Sequence, residues 1–60
     1  MHLSIVIVNW NTRELLAGCL ESIYSTLPRF LFSVIVIDNA SSDGSAEMVR
    51  DRFPEVQLLE

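Results

Sequence analysis

The chain alternates between short apolar runs and longer stretches with helical spacing. Three runs predict β-strands: "LSIVIV" at residues 3–8, "SVIVI" at residues 33–37 and "VQLLE" at residues 56–60. The first two are apolar and β-branched at nearly every position, which is typical of strands that are covered on both faces of a sheet.

Two stretches between these runs predict helices. Asn11 is expected to cap the first, with Glu14 in the reciprocal capping position, and Pro28 is expected to end it. Asp43 or Ser45 is expected to cap a second helix over residues 45–53. The spacing of one, three and four residues in the first helix predicts one buried apolar stripe, formed by Leu15, Leu16, Cys19, Leu20, Ile23, Tyr24 and Leu27.

The order β-α-β-α-β with short connections predicts an α/β fold with a parallel sheet and right-handed crossovers. It gives strand order 3-2-1 and places both helices on the same face. The other face would then leave Val and Ile side chains in water, each forgoing roughly 1.5–3 kcal/mol of burial. We therefore expect residues 1–60 to be the opening, incomplete on its own, of a larger α/β domain. The uncovered face would meet the remainder of that domain or a second copy of the chain.

The composition restricts the partners that the chain is expected to bind and the compartment in which it is expected to lie. One cysteine and one histidine among 60 residues leave no disulfide within the chain and no conventional zinc cluster. A net charge of −4, with four scattered arginines and no lysine, argues against nucleic acid as a partner. No apolar run approaches the ~20 residues of a membrane span, and the start of the chain lacks the basic lead of a signal peptide. We expect a cytoplasmic protein, with peripheral attachment to the inner membrane face left open.

Polar residues follow the first two strands, at the edge where open α/β sheets bind ligands. Residues 9–12 and 38–44 form these two loops. Neither carries a G-x-G-x-x-G pattern or the lysine of a P-loop, so the familiar phosphate cradles are missing. Asp38 could accept a hydrogen bond from a base or a ribose, Asn39 could both donate and accept, and Trp10 could stack on a ring. Loop capping by Asp38, turn geometry at Asn39 and rim packing by Trp10 remain open alternatives.

Two segments together resemble the amino-terminal part of the family 2 glycosyltransferases, which have the GT-A fold. They are "SIVIVNWNTRELLAGCLESI" and "VIVIDNASSDGSAEMV". In that family the first strand ends in Tyr-Asn or Trp-Asn, and the second in Asp-Asp or Asp-Asn before a Ser-x-Asp-Gly-Ser/Thr loop. The forms "VNWN" and "DNASSDGS" are most similar to the bacterial rhamnosyltransferase-like branch. The chain departs from the commonest pattern at Asn39, where many members have a second Asp, and at Val8, where many have Pro.

The resemblance implies that the parent enzyme moves a sugar, with inversion, from a nucleoside diphosphate donor of the UDP or dTDP type to a hydroxyl of a glycan or lipid-linked acceptor. It implies a Rossmann-like nucleotide-binding domain, with nucleotide contacts from Asn9, Trp10, Asn11, Asp38 and Asn39. It also implies a Mg²⁺ or Mn²⁺ ion, whose ligands lie outside this segment together with the catalytic base. The 60-residue chain alone is then expected to be inactive. The alternatives are a non-catalytic nucleotide-binding module and a self-associating α/β fragment.

Overall fold

A computed structural model describes residues 2–60 of the chain. Its elements are β1 (Leu3–Asn9), α1 (Arg13–Thr26), β2 (Phe32–Asp38), α2 (Ser45–Arg52) and β3 (Gln57–Leu59), with a 3₁₀ turn at Arg29–Leu31 before β2. The strands are all parallel and lie in the order β1-β2-β3. The predicted β-α-β-α-β fold and strand order are therefore confirmed.

The register of the sheet brings the two polar loops together. Asn9 pairs with Asp38 as the last residue pair of β1 and β2. Both strands thus end at the same height, and residues 10–12 leave the sheet beside residues 39–44. The backbone N–H of Asn39 donates to the Asn9 carbonyl at 2.8 Å, which extends this pairing into the loops.

Both helices pack on one face of the sheet, as predicted. The central strand β2 carries much of the core, because Val34 and Val36 are almost fully buried beneath Leu20 of α1 and Val49 of α2. No helix among residues 2–60 is both long and apolar enough to span a bilayer.

The opposite face of the sheet is not covered by any of the described residues. Val6, Val8, Ile37 and Leu59 alternate with the buried positions of their strands and are 38–71% exposed. This arrangement confirms the sequence-based prediction that the chain supplies helices for only one side of an apolar sheet.

The predicted apolar stripe of α1 was too wide. Leu15 is 76% exposed and Cys19 is also exposed, whereas Leu16, Ala17 and Leu20 are the buried residues of this helix. Arg52 of α2 pairs with Glu21 of α1, which lies one turn after the buried Ala17, so α2 packs on this flank of α1. Leu15 and Cys19 lie on the other flank and are exposed, so the prediction of a core position for Cys19 was wrong.

The caps of both helices also differ from those predicted. Thr12, not Asn11, is the N-cap residue of α1, and its side chain makes no capping hydrogen bond. Asn11 instead adopts the left-handed conformation with φ 50°, which Asn tolerates better than most residues. Gly44 is the N-cap residue of α2, at φ 85°. Asp43 still serves this helix, since its Oδ1 accepts the backbone N–H of Ser45 at 3.0 Å.

Candidate functional site

Asn9 and Asp38, the last residues of β1 and β2, form the buried polar floor of the site. They are 2% and 4% exposed, and the Asn9 Nδ2 donates to Asp38 Oδ1 at 2.9 Å. The Asn9 Oδ1 accepts the Thr12 hydroxyl at 2.6 Å, so both polar ends of this amide are bonded. Unpaired polar groups at this depth are costly, and none is present among the described side chains. The network therefore makes the strand ends a rigid polar floor.

Asp38 is turned inward onto its own loop. Its Oδ1 accepts the Ser41 hydroxyl at 2.6 Å, and its Oδ2 accepts the Ser41 N–H at 3.1 Å. With the bond from Asn9, three of the roughly four acceptor positions of the carboxylate are occupied. This bonding gives Asp38 a structural role in the loop, and its direct contact with a nucleotide stays a prediction.

A second set of bonds joins the two loops nearer the surface. Asn11 Oδ1 accepts the Ser42 N–H at 2.8 Å. Asp43 Oδ2 accepts the Arg13 N–H at 2.9 Å, at the first turn of α1. Asp43 thus bonds the starts of both helices, and it occupies the position at α1 where an external anion would otherwise bind.

Trp10 and Asn39 are the two predicted site residues whose side chains remain free for a ligand. Trp10 is 63% exposed, and Asn39 is exposed with no side-chain hydrogen bond among residues 2–60. Each directly follows a member of the Asn9–Asp38 pair, so both lie at the carboxyl edge of the sheet. The site accordingly presents an aromatic face and an amide edge on a buried polar floor.

Hydrogen bonding controls the ionisation of both loop carboxylates. Burial raises the pKa of Asp38, but bonds from the Ser41 hydroxyl, the Asn9 amide and the Ser41 N–H outweigh it, so the pKa lies below its ordinary value. The Ser45 hydroxyl is the main cause of a lowered pKa at Asp43, assisted by backbone N–H groups of Arg13 and Ser45. Both side chains stabilise the loops as anions.

This ionisation predicts a loss of stability in acid. A carboxyl whose pKa is lowered by folding contributes stability in full above its unfolded value of about 3.9, and this contribution is lost as the pH falls through the folded value. We therefore expect the melting temperature to fall as the pH drops below about 4, measured by far-UV circular dichroism. Asp43→Asn should flatten that decline relative to Asp51→Asn on the exposed face of α2, whereas parallel curves for the two variants would contradict the assignment.

Two other features of the described residues do not form a ligand site. A shallow depression of about 370 Å³ lies beside the start of α1, lined by residues 11–15 and Asp43, but Trp10 and Asn39 do not line it and its Asp43 is already bonded internally. Residues 2–60 contain no group of three metal-ligating side chains.

Sequence reasoning missed the role of Ser41 and the reach of Asp43. Both belong to the loop 38–44, and for Asp43 the sequence predicts only a cap of the second helix. Asp43 does bond Ser45 at that helix, but it also accepts the Arg13 N–H of α1, 30 positions away in sequence. The serine-rich stretch after Asp38 was the available signal, since small hydroxyl side chains commonly bond nearby loop groups.

Comparison with known proteins identifies the family. The model of the family described as "Glycosyl transferase family 2" matches residues 4–60, which is nearly the whole chain. The chain belongs to glycosyl transferase family 2. The matched residues of this family 2 segment include both loops of the site, 9–12 and 38–44.

Two relatives extend this finding. The segment is 30% identical, over its full length, to a poly(ribitol-phosphate) beta-glucosyltransferase of Bacillus spizizenii, and it spans 10% of that protein. It superposes with a TM-score of 0.84 and 29% identity on the mannosyltransferase PcManGT of Pyrobaculum calidifontis, solved in complex with GDP-Man and Mn²⁺. That match covers 98% of the segment and 19% of the solved chain. The fold is therefore that of the opening part of a GT-A glycosyltransferase.

Proposed function

We propose that this family 2 segment binds the nucleotide of a sugar-nucleotide donor in a glycosyltransferase. The parent enzyme would transfer the sugar to a hydroxyl of a glycan or lipid-linked acceptor, with inversion at the anomeric carbon. The family match, the glucosyltransferase relative and the GDP-Man complex of the structural neighbour support the transferase class. The segment spans a tenth to a fifth of those two proteins, so the acceptor site and the catalytic base are proposed to lie in other parts of the protein.

The observation that carries the proposal is that Trp10 and Asn39 are both exposed and directly follow the paired strand ends Asn9 and Asp38. A planar base can stack on an exposed indole, and a carboxamide offers a donor and an acceptor to the base edge or the ribose. Asn9, Asn11 and Asp38 are bonded to the loops themselves. We therefore assign direct contact first to Trp10 and Asn39.

The finer features of the reaction are proposals of the same kind. We propose a UDP or dTDP donor and a Mg²⁺ or Mn²⁺ ion held by residues outside this segment. The neighbour binds Mn²⁺, and a divalent cation would offset charge on the departing diphosphate. We further propose a cytoplasmic enzyme working at the inner membrane face, which suits a lipid-linked acceptor.

The apolar face that carries Val8 and Ile37 is proposed to lie against the remainder of the catalytic domain. In an isolated segment the same face would favour association between copies. Self-association of the fragment, without chemistry of its own, is therefore the alternative function.

The nucleotide proposal can be tested with the single tryptophan as the reporter. UDP, dTDP and GDP are each titrated into the protein while Trp10 fluorescence is recorded, with and without EDTA. We expect quenching by at least one nucleotide, and Asn39→Ala should weaken that binding about fivefold through the loss of one hydrogen bond.

The matched control is Gln57→Ala, which removes an exposed amide from β3, on the uncovered face. It should leave the affinity unchanged. Absence of quenching by all three nucleotides, or equal losses in the two variants, would contradict the proposed site.

A further inference from the structure

We propose that Ser41 is a positioning residue, which holds Trp10 and Asn39 in place for the nucleotide by fastening one loop to the other. The effect on nucleotide binding rests on the proposed function, whereas the fastening of the loops is argued from the hydrogen bonds of one hydroxyl group. Ser41 lies in the loop 38–44 and is half-buried.

The Ser41 hydroxyl uses all of its hydrogen-bonding capacity. It donates to Asp38 Oδ1 at 2.6 Å, and it accepts the Asn11 N–H at 2.9 Å and the Asn9 Nδ2 at 3.2 Å. One donor and two acceptor positions are all that a hydroxyl offers. Two of the three bonds cross to the other loop.

These partners flank the residues that face the ligand. Asn9 and Asn11 directly precede and follow Trp10, and Asp38 directly precedes Asn39. A single oxygen therefore restrains the chain on both sides of the indole and immediately before the amide. Movement of Ser41 away from residues 9–11 would break both of the cross-loop bonds.

Loss of this hydroxyl should loosen the site without removing its floor. Asn9 and Asp38 would still bond each other, and the Ser41 N–H would still bond Asp38 Oδ2. The Asn11 N–H, which is exposed, would turn to water. Trp10 and Asn39 would then have to be ordered when a nucleotide binds, and the entropy cost of this ordering would weaken the affinity.

The test compares Ser41→Ala with Ser42→Ala and Ser41→Thr. Ser42 is the neighbouring control, because its short bond to Asn11 Oδ1, at 2.8 Å, uses the backbone N–H and survives truncation, which removes only a 3.5 Å hydroxyl contact to the same oxygen. Ser41→Thr keeps a hydroxyl at the same position and serves as the rescue. UDP affinity is measured by Trp10 fluorescence, and hydrogen exchange of the Asn11 amide is measured by NMR with no nucleotide present.

We expect Ser41→Ala to weaken UDP binding roughly tenfold, the loss that ordering two side chains implies. Exchange of the Asn11 amide should also become about tenfold faster. Ser42→Ala should change neither quantity, and Ser41→Thr should restore most of both. Unchanged Asn11 exchange in Ser41→Ala would overturn the fastening role, and faster exchange with unchanged UDP affinity would overturn the positioning role.

The exchange measurement separates this inference from the proposed function. If the wild-type chain binds no nucleotide, the proposed function and the positioning role both fall, while faster Asn11 exchange in Ser41→Ala still supports the fastening. If Ser41→Ala fails to fold by circular dichroism, the fastening is judged from Ser41→Cys, whose thiol is only a weak hydrogen-bond acceptor. Exchange of the Asn11 amide should then be faster in Ser41→Cys than in Ser41→Thr, and equal exchange in these two variants would overturn the bond to Ser41.

Discussion

Asp38→Ala is expected to lower the free energy of unfolding by about 3 kcal/mol or more. The substitution removes a buried carboxylate that accepts from the Asn9 amide, the Ser41 hydroxyl and the Ser41 N–H. Hydrogen bonds to charged groups contribute about 1.5–3 kcal/mol, and donors left unpaired add their own cost. A domain of this size has roughly 3–9 kcal/mol of stability in total. The loss is about a third or more of this total, so the urea midpoint should fall clearly, as measured by urea denaturation followed by circular dichroism.

The control for this substitution is Asp51→Ala, which removes an exposed carboxylate from α2. It should change the stability by no more than about 0.5 kcal/mol. Equal stability of the two variants would show that the Asp38 network contributes little. The prediction also explains why nucleotide contact is better tested at Asn39, since a loss of binding in Asp38→Ala would follow from unfolding alone.

Leu20→Ala is expected to cost about 2–5 kcal/mol of stability. Leu20 is fully buried, at 0% exposure, and packs in the cluster that joins α1 to Val34 and Val36 of β2. Truncation removes its transfer free energy and leaves a cavity that this small core can only partly close. Urea denaturation measures the loss directly.

Leu15→Ala is the matched control, with the same side chain in the same helix at 76% exposure. Its effect should stay within about 0.5 kcal/mol. The sequence pattern alone places both leucines on one apolar stripe, so a comparable loss in the two variants would favour the wider stripe and contradict the orientation of α1 described above.

The fold could be predicted because it follows from features that are local in sequence. The two β-branched runs mark the first two strands, Pro28 marks the end of the first helix, and short connections restrict the topology to parallel neighbours. The lack of cover on the sheet face that carries Val8 also followed from this pattern, because two-sided apolar strands came with only two helices. The edge of the sheet that bears the polar loops was predictable for the same reason.

The burial of individual side chains could not be predicted in the same way. Periodicity shows that α1 has an apolar side, but the position of α2 decides how much of that side is covered, which left Leu15 and Cys19 exposed. Asp38 was expected to face a ligand because it ends a buried strand. The sequence did not show that Ser41 returns to bond it, since a loop without periodicity gives no direction to its side chains.

The central claim is that a nucleotide binds at the carboxyl edge of the sheet, on Trp10 and Asn39. The most direct test is to titrate UDP into ¹⁵N-labelled protein and to map the shifts in its amide spectrum. We predict the largest shifts at the Trp10 indole N–H and in residues 9–12 and 38–44. Shifts concentrated at the opposite edge of the sheet, around residues 27–32, or the absence of any shift with UDP, would contradict the account.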